Sequence, residues 1–276
     1  LFTLYGVFRI FFVSLQSGSV QKILKHYDNV LGLDGLAAQR FSLISNLAIV
    51  VAGIVSLFVF DQVTHRQVIL FDAFTFLFNC VVVFVFQSYR GERVNFYISQ
   101  LGLVQYFRSF KHLFFEDAIL SLCLAGSNVL NLKLLDSQLR WAPIMTTIFG
   151  LSGFLISQKW MSDICSRFSV KIFWAVFAVT LISQGFVAGD LVFLLPIHFV
   201  RNFCYWLILN QISQTIMRAA CIEKFSQIAS GRNALQLSIL GGGELVTGFI
   251  NIPIKFEMFL RGSFAIMGFV SKRRSE

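Results

Sequence analysis

The sequence predicts an all-α polytopic membrane protein of about nine transmembrane helices, and three observations predict it. Of the 276 residues 56% are hydrophobic and 13% charged, with a mean hydropathy of +0.73, whereas a soluble domain carries about a quarter charged residues. The apolar residues fall into runs of about the 20 residues a helix needs to cross a bilayer. The basic residues gather between those runs, and unequally on the two sides. If the first run crosses from outside to inside, the outer turns hold only Arg66, Lys133, Arg140 and Lys255. The inner segments hold Lys22, Lys25, Arg40, Arg90, Arg93, Arg108, Lys111, Lys159, Arg167, Lys171, Arg218, Lys224, Arg232, Lys272, Arg273 and Arg274. That asymmetry is the positive-inside signature, and a missed or invented helix would scramble it.

The first run, 1–20, is interrupted by Arg9 and gives way to QKILKHYDNVLGLDGLAAQR, a polar loop. The second, 41–60, carries Ser42, Ser45 and Asn46 in its first turns; DQVTHRQ then turns the chain into the third, 68–86, with Asp72 one turn inside. From 89 to 111 aromatic and aliphatic residues mix with Arg90, Arg93, Arg108 and Lys111, so an amphipathic segment lying at the inner interface is expected. It is the one domain boundary, linking 1–88 to 112–276.

The run 112–131 has Glu116 and Asp117 at its entrance and Ser127 and Asn128 further in. Next, 141–160 is bracketed by Trp141 and Trp160, which at 1.5 Å per residue stand about 28 Å apart, with both rings at headgroup level. MSDICSRFSVK leads into 172–188, and a Gly-Asp pair turns that run into 191–218. The last two runs are 233–252, with GGGEL at its centre, and 256–270, which ends in SKRRSE on the inner side. Residue 1 is a leucine inside an apolar run with no charged leader, so the chain is expected to begin part-way through a longer protein.

The run 191–218 is the most informative. It is apolar enough to span, yet a charged side chain at the centre of a spanning helix costs roughly 2.5–3.5 kcal/mol, so Arg201 should face protein or a water-filled cavity. His198, Arg201, Asn202 and Tyr205 are spaced i, i+3, i+4, i+7 and share one helix face. Asn210, Gln211 and Gln214 point elsewhere, towards the inner end. Glu244, deep in 233–252, is an intramembrane carboxylate and so a site for a coupling proton or an ion-pair partner of Arg201 or Arg9. Asp72 is the other acid placed to pair with Arg201.

The composition also excludes several functions. A net charge of +9 distributed as topology signals does not mark a nucleic-acid surface. The five cysteines are scattered without CxxC spacing, so neither a metal site nor a disulfide framework is expected. The glycine run 241–243 lacks the lysine that follows a phosphate loop and sits in an apolar span, where close helix packing explains it. No paired acids, histidine cluster or nucleophile motif points to an enzyme, and no cofactor is expected.

An internal repeat is visible. Shifted by 192 residues, GVFRIFF (6–12) lies over HFVRNFC (198–204), so Arg9 falls on Arg201 and Phe11 on Phe203, and the same shift brings Arg40 onto Arg232. Both arginines of the second pair precede a span rich in small and polar residues, FSLISNLAIVVAG and NALQLSILGGGELVTG. Parallel repeats of this kind build transporters from two six-helix halves.

On these features the chain resembles a major facilitator superfamily transporter of bacterial exporter type lacking its first three helices, its runs being helices 4–12. SDICSRFSVK is similar to the family's inner-loop charge motif, mapping onto Asp163, Arg167 and Lys171. RFSLISNLAIVVAG with FDAFTFL resembles helices 5 and 6 of exporters through Asn46, Asp72 and Thr75, and GRNALQLSILGGG resembles the start of helix 11. The glycine that should follow Asp163 is absent, and FRIFFVSLQSG does not fit the proton antiporters' helix 4 motif.

The resemblance implies a central cavity lined by Arg9, Ser127, Asn128, His198, Arg201, Asn202 and Tyr205. It further implies a charge clamp at Asp163, Arg167 and Lys171, with proton coupling through Glu244 or Asp72. The expected function is secondary active transport of a small amphipathic molecule, export rather than uptake, by a monomer in the inner (plasma) membrane with its C-terminus cytoplasmic. The alternative is a membrane receptor or channel-like protein without transport activity.

Overall fold

The computed structural model describes residues 99–126, 151–157, 169–250 and 252–273, together with positions 32, 51, 67, 70, 74, 77–78, 81, 134 and 148–149. Among the described residues the secondary structure is entirely helical. Six helices follow one another: α1 (Ser99–Ser109), α2 (Lys111–Leu124), α3 (Val170–Phe186), α4 (Leu191–Ala219), α5 (Ile222–Phe249) and α6 (Ile254–Arg273). Residues 151–157 are also helical and pack on α4, where Gly153 approaches the Phe199 carbonyl closely.

Local chemistry explains the boundaries. Ser169 caps α3 by accepting the Lys171 amide at 3.4 Å, and Asp190 caps α4 by accepting the Val192 amide at 3.0 Å, each satisfying a donor that the first helical turn leaves orphaned. The turn between α3 and α4 needs Gly189, whose φ of +87° suits a residue without Cβ. Its amide donates to the Leu134 carbonyl at 2.8 Å, anchoring the turn. Inside α4, Pro196 removes the amide that would bond the Val192 carbonyl.

Glycines set how closely the helices approach. A Cβ on Gly102 of α1 would stand 2.6 Å from the Gln227 carbonyl oxygen of α5, and one on Gly231 would collide with the Gly102 backbone, so α1 and α5 touch main chain to main chain. Gly243 meets Ala125 in the same way, which makes it a packing point between α5 and the end of α2, whereas Gly242 faces open space. Along α6, a Cβ at Gly185 of α3 would meet Lys255 and Met258, one at Gly262 would meet Ile182, and one at Gly268 would meet Trp174. That order makes α3 and α6 antiparallel. The core between these helices is built from Trp174, Phe177, Leu181, Leu207, Ile208, Leu120, Ile228 and Met258.

α2 is the hub, in contact with α1, α4, α5 and α6. It is also where the expected spans need correcting. The run 112–131 was expected to continue through Asn131, but α2 stops at Leu124 and Gly126 takes φ +69°. At 14 residues α2 is about 21 Å long, short of the hydrocarbon thickness. Conversely, the run expected at 233–252 begins eleven residues earlier, because Phe225, Ile228 and Ala229 present a buried face continuous with Arg232. The expected interfacial segment contains a docked helix, α1, whose Tyr106 is buried against α2 and α5.

One described helix, α4, is long and apolar enough to cross a membrane; α3 is comparably apolar but has 17 residues. One such helix does not establish the nine expected spans.

Candidate functional site

Two polar layers cross this bundle, about 18 Å apart along α4 as judged from Arg201 to Ser213. The upper layer starts at the α3–α4 hairpin. Arg201 is 4% exposed, and its Nη1 donates to Gln184 Oε1 of α3 at 3.0 Å. Gln184 Nε2 stands 3.4 Å from His198 Nδ1. Because a guanidinium only donates, Gln184 must turn its oxygen to Arg201 and its amide nitrogen to His198. His198 Nδ1 is then the acceptor, and the neutral imidazole carries its proton on Nε2.

Arg201 has no carboxylate within ion-pair distance among the described residues, and its Nε–H is buried without an acceptor. The one charge there whose field reaches it is another cation, Arg261 of α6. Arg261 is itself satisfied: Nη2 donates to Glu257 Oε1 at 2.7 Å and Nη1 to the Cys123 carbonyl at 3.2 Å. Thr247 of α5 adds a hydroxyl donor to the same Glu257 oxygen at 3.1 Å.

The other residues of the expected cavity face divide. Asn202 spends its amide on its own helix, donating to the His198 carbonyl at 2.9 Å. Tyr205 is half-buried in an aromatic group, 6.4 Å from Phe177 and 5.2 Å from Trp206 between ring centroids, with Phe154 4.5 Å beyond. Glu244 lies half-buried on α5, and no ion pair joins it to Arg201. Lys171 sits in the first turn of α3. Arg9, Asp72, Ser127, Asn128, Asp163 and Arg167 lie outside the described residues.

The lower layer was not among the expected sites. Asp117 of α2 is completely buried and accepts from donors on two helices: Tyr106 Oη of α1 at 2.6 Å, and, from α5, Arg232 Nε and Nη2 at 2.6 and 3.1 Å and Gln236 Nε2 at 3.2 Å. Arg232 Nη1 continues to Ser213 Oγ of α4 at 2.8 Å, so one carboxylate ties α1, α2, α4 and α5 together. Burial, and then the Asp117 carboxylate, push the Tyr106 phenol well above its ordinary range. An acid one turn inside an apolar run and an arginine at the mouth of another were visible in the sequence, but nothing in it paired them.

Chemically, the layers differ in one respect. The lower one is closed, its charges matched within hydrogen-bonding distance. The upper one holds two guanidiniums against one carboxylate and keeps an unsatisfied donor, Arg201 Nε–H, and an unsatisfied acceptor, Glu257 Oε2. Comparison with protein families, with curated proteins and with solved structures finds no match to this chain.

Proposed function

We propose that the protein is an integral membrane secondary transporter, with the nine expected spans arranged as helices 4–12 of a major facilitator-like fold. It moves a small amphipathic molecule by alternating access, in the direction of export. The observation that carries this reading is Arg201, buried with no acidic partner among the described residues, in the described helix best suited to span a membrane. A permanently unmatched charge inside a bundle is expensive, and membrane proteins retain one where a substrate or ion passes.

The surface supports a lipid setting. In the most apolar window of α4 33% of the residues are buried, unlike the core helix of a soluble protein. At the end where α3 finishes and α4 begins, Phe186, Val192 and Phe249 are 74%, 76% and 86% exposed, and Phe193, Phe256 and Phe259 are exposed as well. Large apolar side chains exposed in such number near the ends of four helices are suited to a lipid setting.

The test is flux in proteoliposomes made with the complete protein and an imposed pH gradient. Saturable, gradient-driven accumulation of an amphipathic compound is expected, abolished by Arg201→Gln. Unsaturable, gradient-independent leak would make the protein a channel instead. Within a positive result, Glu244→Gln removes the proton dependence; unchanged dependence takes Glu244 out of the coupling step.

A further inference from the structure

We propose that Arg201 is the anion-recognition point of the transported molecule, which carries a single acidic group on an apolar body; the inference rests on the transport reading above. The charge count sets the valence. Around α3, α4 and α6 the described buried charges are Arg201, Arg261 and Glu257, two positive and one negative. Glu257 is committed to Arg261 at 2.7 Å, so one unit of positive charge remains, and it resides on Arg201. A monoanion neutralises it, whereas a dianion would replace one buried imbalance with another.

The hydrogen-bonding pattern points the same way. Gln184 presents its oxygen to Arg201, yet the guanidinium keeps one buried donor, its Nε–H, without an acceptor. A carboxylate accepts such a donor and pairs with a guanidinium in a geometry no neutral group matches. The apolar body has its complement one turn along α4 in the half-buried Tyr205 and Trp206, whose rings meet each other and Phe154 edge-on, with Phe177 tilted behind Tyr205. Charged head and aromatic wall are thus adjacent on one helix, in the arrangement an amphipathic acid requires.

The complete protein in phosphatidylcholine nanodiscs supplies the test, with octanoate as probe and octylammonium and octanol as the same chain bearing opposite and no charge. Melting followed by tryptophan fluorescence should show a saturable rise with octanoate alone. Arg201→Gln should weaken octanoate binding at least tenfold while melting no lower than the parent without ligand, since it removes an unmatched charge; a purely structural arginine would lower it. Arg201→Lys, which keeps the charge and loses the planar fork, should retain a weakened response.

The inference is overturned if octylammonium or octanol matches octanoate, if no anion gives a saturable shift, or if Arg201→Gln responds like the parent. Replacing part of the phosphatidylcholine by phosphatidylglycerol separates the sources of the anion. An Arg201-dependent shift that then blocks octanoate would assign the site to a lipid headgroup and overturn the substrate assignment. The two readings fail separately. Gradient-driven flux of octylammonium or octanol alone keeps transport and removes the anion, and Arg201-dependent octanoate binding without flux of any of the three does the reverse.

Discussion

Asp117 offers the sharpest energetic test, because its replacement breaks a closed network at a known set of atoms. In Asp117→Asn one carboxylate oxygen becomes an amide that points its hydrogens at donors. On the Oδ2 side these are Tyr106 Oη and Arg232 Nε, both at 2.6 Å; on the Oδ1 side they are Arg232 Nη2 at 3.1 Å and Gln236 at 3.2 Å. Arg232, with a side chain 14% exposed, keeps its bond to Ser213 but loses its counter-charge. Removing one partner of a buried pair costs about 3–5 kcal/mol, and Arg232→Met should cost a similar amount by stranding Asp117. The double variant Asp117→Asn, Arg232→Met strands no charge, and the introduced amide oxygen still accepts from the neutral Tyr106 and Gln236 groups, so its cost should be about 1–3 kcal/mol. The coupling energy from the cycle should therefore reach about 3 kcal/mol or more. Unfolding in mixed micelles with increasing dodecyl sulfate, followed by tryptophan fluorescence, measures each corner. Additive single and double variants would refute the network as an energetic unit, as would a cost for Asp117→Asn below about 1 kcal/mol.

Three further outcomes are expected. Gly231→Leu places a side chain where the Gly102 backbone lies, so it should destabilise by about 1–3 kcal/mol and raise amide hydrogen exchange throughout α1 first. Tyr106 binds its proton more tightly when folded than the ordinary phenol near pH 10, so above that pH the unfolded chain has lost a proton the folded chain still holds. Stability should therefore be intact below about pH 10 and decline as pH rises beyond it, and Tyr106→Phe should flatten that alkaline decline in denaturation curves. Cys221 is exposed in the turn between α4 and α5, while Cys123 and Cys204 are buried. With Cys80 and Cys165 changed to serine, a membrane-impermeant maleimide should label Cys221 in inside-out vesicles and not in right-side-out ones; the reverse labelling would invert the inner side inferred from the basic residues.

What was legible in the sequence was one-dimensional. The α3–α4 hairpin could be read because the Gly-Asp pair supplies both a left-handed residue and a helix cap, and each acts within a few residues of its own position. The face joining His198 to Arg201 could be read because helical period alone aligns them. By contrast, α2 was overextended because AGSN inside an apolar run was weighed by hydropathy rather than by the conformation Gly126 would take. α5 was begun too late for the complementary reason: IEKFSQIASGRN is polar on average, yet Phe225, Ile228, Ala229 and Arg232 keep helical spacing through it.

Partners across helices lay beyond such reading, and the upper layer shows why it mattered. Acids offered by the sequence for Arg201 were Glu244 and Asp72, chosen because opposite charges inside a membrane should meet. Asp72 lies outside the described residues, no ion pair joins Glu244 to Arg201, and Arg201 meets a neutral amide, Gln184, which hydropathy ranks as an unremarked polar residue near the end of α3. Sequence can enumerate buried charges, but which of them neutralise one another depends on helix neighbours, and here α6 brings Arg261 and Glu257 already paired with each other. Among the described charges, an arginine for which the sequence offered both a place in the cavity and a salt bridge is the member left over, and a bundle that leaves one cation unmatched beside an aromatic wall is built to be completed by something other than its own described side chains.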